Sequence, residues 1–335
     1  SENELNFTNE KPYVIYGYAG VASNNTLSIN KGARVHFHSN SGILVTSGGS
    51  IQVNGEFSQD QESLENEVIF EGDRLENSFK NIPGQWGTIW LFSGSINNII
   101  NYSTIKNSTI GIYAEDPLNA NSNQLIINNS KIYNSSNFGI LAKSSSITAS
   151  NLIINKSGQS SFAATYGGNY DLNHCTITNF WNNSFRQFPS LLINNYWIDN
   201  DGEILNNSNL NFNITNSIIT GNENIEFLEE QFDDTNLNFK FKNCMIKFND
   251  YNDIFTGQDN YNFSNSEKYE NLFLNLNPDF KNEYSNELFI LQNSEVINLG
   301  LKVNILNKSN NSGKLIIEYK NLDQFEFISG LLKKR

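Results

Sequence analysis

The sequence predicts an all-β parallel β-helix, a solenoid with coils of about 21–27 residues, on two patterns and a composition. The first pattern is a column of isoleucines: Ile105, Ile132, Ile153, Ile177, Ile219 and Ile246 each follow a small residue by two places and mostly precede Asn or Gly by two. Their spacings are 27, 21, 24, 42 and 27 residues, so the 42 is either two coils or one coil with an insertion. The second pattern is early alternation. Leu27/Ile29, Val35/Phe37, Ile43/Val45 and Ile51/Val53 step by eight residues, with Gly32, Gly42, Gly48 and Gly55 among the corners. Three such strands make a coil of the same size. Asn is about one residue in six and Pro is scarce, which disfavours long helices and suits turn-rich β structure. A sandwich shows the same alternation, so the fold rests on the two patterns together.

In order along the chain, residues 1–12 read as an N-terminal tether ending at Pro12, and 13–335 as a single β-helix domain. Val68-Ile69-Phe70 closes a strand before an excursion that ends at Pro83-Gly84-Gln85-Trp86, and Thr88-Ile89-Trp90-Leu91 resumes the stack. Ile110-Gly111-Ile112-Tyr113 and Phe138-Gly139-Ile140-Leu141 form a second matched column. An aromatic-rich lateral insertion, residues 180–207, interrupts the period, and two further coils follow. Residues 250–335 lose the repeat and are expected to hold the end coils and a C-terminal cap, with Leu322–Arg335 as the cover, because a bare last coil would invite edge-to-edge association. Stacked side-chain amides along the corners are expected from the abundance of Asn.

The formal charge of −13 disfavours nucleic acid as a partner, because binding phosphates depends on clustered Lys and Arg, and it is equally a poor surface for anionic lipid headgroups. Cys175 and Cys244 share one column with the Ser217 coil between them. Coils one layer removed lie about 9–10 Å apart, beyond disulfide reach, so two buried free thiols are expected. No apolar run of about 20 residues is present. With no signal peptide, the chain reads as cytoplasmic or already processed, and the polar opening Ser1-Glu2-Asn3-Glu4 leans toward processed.

Several phrases resemble the right-handed parallel β-helix repeat proteins common among Bacteroidetes surface lipoproteins. Tyr13-Val14-Ile15-Tyr16-Gly17 with Thr26-Leu27-Ser28-Ile29-Asn30-Lys31-Gly32 looks like their first coil. Phe70-Glu71-Gly72-Asp73-Arg74 with Pro83-Gly84-Gln85-Trp86 looks like their early loop, and Tyr170–Trp181 with Arg186, Pro189 and Leu191 like their central insertion. Asn277-Pro278-Asp279-Phe280 with Leu291, Ser294 and Val296–Gly300 is similar to their ending; the acidic-glycine close beyond Gly300 is absent. The acidic opening resembles the stretch after their lipidated cysteine; its plain alternative is a frayed end. The resemblance implies the right-handed fold and an outer-membrane, cell-surface lipoprotein setting, with membrane association only through an anchor outside this chain. It implies no activity.

The binding candidates are Trp181, Phe185, Arg186, Tyr196, Trp197, Asp199 and Asp201 of the insertion, then Asp73, Arg74 and Trp86 of the early excursion. Sugars stack on Trp and Tyr while acids hold their hydroxyls, and protein partners favour the same rings and Arg. The alternative is that these rings pack the insertion on the stack, that Asp73 pairs with Arg74, and that Trp86 plugs the loop. His174, beside Cys175, reads as a structural histidine, and His36 and His38 as solvent-facing. No cofactor is indicated. A structural calcium at Asp233, Asp234, Asp250 and Asp253 is set against solvated loop acids.

The expected function is therefore non-catalytic binding or scaffolding, through side loops that engage an outer-membrane protein complex or a surface glycan. The alternative is a polysaccharide lyase or glycoside hydrolase. Three or more acids or bases converging in one groove would favour that second reading.

Overall fold

The structure is a computed structural model; it describes residues 5–116, 124–199, 201–206, 209–232, 237–292 and 294–296, together with strands 302–307 and 313–318. Residues Ser1–Asn275 form one compact unit and Leu276–Arg335 a second. The first unit is the parallel β-helix. Its strands stack in three columns, each strand pairing in parallel with those one coil before and after it. The first sheet begins Asn6–Phe7, Thr26–Asn30, Ser50–Asn54 and Asn98–Asn101. The second begins Tyr13–Ile15, Arg34–Phe37, Val68–Gly72 and Ser103–Lys106, and the third Tyr18–Val21, Gly42–Val45, Ile89–Leu91 and Ile112–Glu115.

Alternation explains the core. Leu27 stacks on Ile51 and Ile29 on Val53, one coil apart, and all four are buried. Each coil's inward row covers the next, and a buried Ile, Leu or Phe contributes about 1.5–3 kcal/mol. The second sheet's inward column reads Val35, Phe70, Ile105, Ile132, Ile154, Ile177, Ile219 and Ile246. Ile154, fully buried, thus replaces Ile153, which pairs with Lys131 and points the other way. The cause is Asn151. It occupies the left-handed corner (φ 52°) and its amide donates to Asn129 Oδ1 at 2.9 Å, so the residue stacked on Ser130 is Leu152. Ile177 pairs directly with Ile219, which makes the 42-residue spacing one coil with an insertion.

The corner between the first and second sheets is a single left-handed residue in successive coils: Tyr102, Asn129, Asn151, His174, Asn216, Asn243 and Asn271. Asn tolerates this conformation best among residues with a side chain. Its amide then bonds the amide one coil away, as in Asn243 to Asn216 and Asn271 to Asn243, both 3.0 Å. His174 holds an exposed corner position of the same kind, φ 53°.

At the N-terminal end pairing starts inside the stretch read as a tether: Asn6 and Phe7 pair with Ser28 and Ile29, and Phe7 stacks on Tyr13 at 4.0 Å. At the other end the second sheet runs one coil beyond Ile246, to Phe273–Leu274. An aromatic plug from residues 249–268 closes this core: Phe255, Tyr261 and Phe263 lie 5.3, 5.4 and 5.0 Å from Phe248. The reading of Leu322–Arg335 as a cover lies outside the described residues. The second unit carries two antiparallel hairpins, Phe280–Asn282 with Glu287–Ile290 and Lys302–Asn307 with Gly313–Glu318. Cys175 and Cys244 are free and buried.

Candidate functional site

The insertion is built from the inside out. Trp181 is 5% exposed, and its indole Nε1–H donates to Ser184 Oγ at 2.9 Å. Arg186 is buried as well: its guanidinium donates to Glu226 at 2.7 and 3.0 Å, to Asn222 Oδ1 at 2.9 Å and to the carbonyls of Phe188 and Asn179. Neither side chain is offered to a partner. Their burial follows from a long lateral loop needing its own core, so both binding assignments are corrected to structural ones.

Tyr196 and Trp197 are half-buried on the strand Tyr196–Ile198, which forms an antiparallel hairpin with Ile204–Asn206. The Tyr196 hydroxyl donates to Glu230 Oε2 at 2.7 Å, and burial followed by that carboxylate pushes its pKa up. Lys143 Nζ sits 4.3 Å above the Trp197 ring. Asp199 Oδ1 accepts the backbone N–H groups of Asp201 and Glu203, both at 2.9 Å, so it shapes the hairpin turn. Phe185 is 83% exposed and Asp201 is exposed. Among the described residues the insertion presents an exposed ring at Phe185 and a hairpin edge at Tyr196–Ile198, with Trp181 and Arg186 buried beneath.

The early excursion also differs from its sequence reading. Asp73 pairs with His38 at 2.8 Å, and Arg74 pairs with Glu76 and stacks over Phe79 instead of meeting Asp73. His36, outward on its strand, is buried with its Nδ1 3.8 Å from Glu71. Trp86 is 1% exposed, stacks on Phe37 at 4.1 Å and donates to the Lys106 carbonyl at 2.9 Å. It is part of the core and anchors the loop.

That anchoring builds a groove. The coil Ser50–Leu91 carries excursions at both ends of its second-sheet strand Val68–Gly72, residues 55–67 on one side and 73–88 on the other. The 73–88 excursion is bonded to the following coil, whereas the 55–67 excursion is held from the preceding coil and carries Phe57 and Gln61 toward the coils that follow. In the 73–88 excursion, Gly84 and Gln85 N–H donate to the carbonyls of Ser108 and Asn107 one coil on, and Asn107 Nδ2 donates to the Lys80 carbonyl at 3.0 Å. The loop reaches further still: a Cβ on Gly84 would sit 2.9 Å from Oγ of Ser136, two coils on. On the 55–67 side, Arg34 holds the loop by donating to the carbonyls of Ser63, Leu64 and Glu67 at 3.0, 2.8 and 2.8 Å. Phe57 and Gln61 close a cleft of about 170 Å³ with Asn129, Ser130, Lys131, Asn151 and Ile153.

Between the two walls lies the outer face of the second sheet. Lys106 faces Tyr133 across one coil step and Thr104 faces Lys131; Ile153 and Asn155 continue the two rows. Glu71 takes Lys106 Nζ at 2.7 Å, and Glu67 takes Lys131 Nζ at 3.3 Å and the Thr104 hydroxyl at 3.0 Å. Burial, then the Glu67 charge, raises the Tyr133 pKa, so its phenol stays protonated and can donate. Burial lowers the Arg34 pKa, opposed by Glu71 and Glu67.

Two acids and two bases thus converge in one groove, and residue-type reasoning missed them. The signal was available for three: Lys106, Lys131 and Tyr133 are the immediate neighbours of Ile105 and Ile132 and must face outward on adjacent coils. Glu67 and Glu71 stand beside the excursions that break the period, so spacing could not place them. Among the described residues no group of three or more His, Cys, Asp or Glu is placed to hold a metal ion. Asp250, one of the acids read for calcium, accepts the backbone N–H groups of Ile254 and Phe255 at 3.0 and 2.8 Å; Asp233 and Asp234 lie outside the described residues.

Residues 297–333 match the model of the ParB dimerisation domain, a stretch that takes in the hairpin of Lys302–Asn307 and Gly313–Glu318 and none of the β-helix. No curated protein matches the chain. Among solved structures the chain is similar to the A-module of mannuronan C-5 epimerase AlgE6 of Azotobacter vinelandii, at 11% identity over 71% of this chain and 85% of that one, with a TM-score of 0.30. An overlap so loose says nothing about chemistry.

Proposed function

We propose that the β-helix is a glycan-binding protein whose ligand lies along the stack in the groove over the second sheet. The observation that carries this reading is that the 55–67 and 73–88 excursions flank the two ends of the same sheet face, over a floor of hydrogen-bonding side chains. Successive coils repeat about every 4.8 Å, so an extended polymer meets a comparable set of side chains at each step. Phe57, Leu75 and Ile82, 62%, 63% and 47% exposed, supply apolar contact on the excursions. Display on an outer membrane as a lipoprotein belongs to the proposal through the sequence resemblance alone.

A glycan array probed with the full chain and with Ile153→Trp, which fills the floor beside the 170 Å³ cleft, tests the reading. The wild type is expected to retain a defined set of glycans that the variant loses while its melting temperature holds. Equal binding by both would move the site off this groove.

A catalytic reading has one observation in its favour, the convergence of Lys106, Lys131, Glu67 and Glu71 around Tyr133. Both ammoniums are held in ion pairs, and a base needs a free lone pair. Chain length of any bound polysaccharide, followed by size-exclusion over hours with the protein, separates the two: shortening that disappears in Lys131→Gln would make it an enzyme.

A further inference from the structure

The groove's charges are layered. Lys106 and Lys131 are each 24% exposed, whereas Glu67 and Glu71, their partners, are 5% and 18% exposed. Glu67 is further occupied by the Thr104 hydroxyl, and its backbone is gripped by Arg34, whose own hydrogen bonds go to carbonyls. A ligand settling on this floor therefore meets ammonium groups first, with the carboxylates beneath them. An ammonium has three donors, and the ion pair with Glu takes one from each lysine. The phenol of Tyr133, opposite Lys106, adds a neutral donor.

The positive charge is confined to the floor: there Arg34, Lys106 and Lys131 stand against Glu67 and Glu71, while the 55–67 wall adds Glu56, Asp60, Glu62 and Glu65, in a chain whose formal charge is −13. Long-range attraction cannot bring an anion here, since the whole chain repels it; recognition has to be made at contact range, inside the screening length of about 8 Å at physiological salt.

We infer that the groove selects an anionic glycan, a polyuronate whose carboxylates are taken by Lys106 and Lys131 with Tyr133 donating between them. This rests on the glycan-binding reading above and names its ligand class. Lys131 lies two residues back along the strand from Tyr133 and one coil on from Lys106, so the two ammoniums are spaced diagonally, about 8 Å apart at the backbone. They can grip two carboxylates of one chain. Free uronates also meet charge-assisted donors, which are about twice as strong as neutral ones.

The test compares a panel of polyuronates, polygalacturonate first, with the same polymers methyl-esterified, using calorimetry with the full chain. The ester keeps the backbone and hydroxyls and removes the charge. Free-acid polymers are expected to bind at least about tenfold more tightly than their esters, with that margin shrinking as salt rises. The double variant Lys106→Gln/Lys131→Gln should lose the margin, so that acid and ester bind it with equal affinity. Equal affinity for acid and ester overturns the inference and leaves the glycan reading standing. A margin that survives the double variant overturns it too, because the charge is then read elsewhere. Failure of the whole panel, acids and esters alike, overturns the inference, and the glycan array then decides the reading it rests on. If the double variant does not fold, the acid-to-ester ratio of the wild type decides by itself.

Discussion

Arg186 donates to Glu226 at 2.7 Å with the two side chains 1% and 0% exposed, so the arginine that stands out in the aromatic insertion is locked inside the protein. Glu226 is also bonded by the backbone N–H and hydroxyl of Ser190, at 2.8 and 2.7 Å, which ties residues 186–190 to the coil that follows.

Breaking that pair strands a buried charge. Arg186→Ala should destabilise the chain by about 3–5 kcal/mol, read as a lower urea midpoint. If the variant kept its midpoint and lost a binding activity instead, the insertion would be the recognition surface after all.

The isoleucine register gives a paired comparison. Ile154 is fully buried and stacks between Ile132 and Ile177, so Ile154→Ala should cost about 2–5 kcal/mol. Ile153 lies on the outer face, and Ile153→Ala should cost well under half of that. Similar costs at both positions would mean the register is wrong by one residue.

This register also shows what was readable in advance. The inward column was legible from Ile105, Ile132, Ile177, Ile219 and Ile246 because burial repeats once per coil. One member slipped because Asn151 looked like the small residue that begins the phrase, and only its bond to Asn129 shows that it is the corner. The site was less legible for a physical reason. Residue type flagged Trp181, Arg186 and Trp86 as functional, and each has a large surface that the fold itself uses. The groove depends on how two excursions are held, one by backbone hydrogen bonds to Ser108 and Asn107 and the other by Arg34, and no spacing encodes either.

Burial pushes both thiols up to about 12, so Cys175 and Cys244 remain protonated at neutral pH. An aromatic disulfide reagent should leave the native chain unlabelled and modify two thiols in urea. Rapid native labelling of either would contradict their place in the core.

Glu229 provides a pH test. Burial chiefly raises its pKa, opposed by the Asn260 hydrogen bond and by Lys268, while Glu230 adds to the rise. A carboxyl that binds its proton more tightly when folded favours the folded state below its unfolded pKa, and this advantage is lost as pH climbs through the raised value. Glu229→Gln, which keeps the shape and cannot ionise, should therefore be more stable than wild type at neutral pH and close to it near pH 4. Melting temperatures across that range check the sign; a variant less stable at pH 7 would contradict it.

The central claim is that the ligand lies between the two excursions, and hydrogen exchange on the full chain tests it most directly. With a glycan retained on the array bound at saturation, the loop amides of residues 56–66 and 74–85 should gain protection together, and the hairpin from Tyr196–Ile198 to Ile204–Asn206 should not change. Protection at the hairpin with both excursions unaffected would put the ligand on the insertion and contradict the groove.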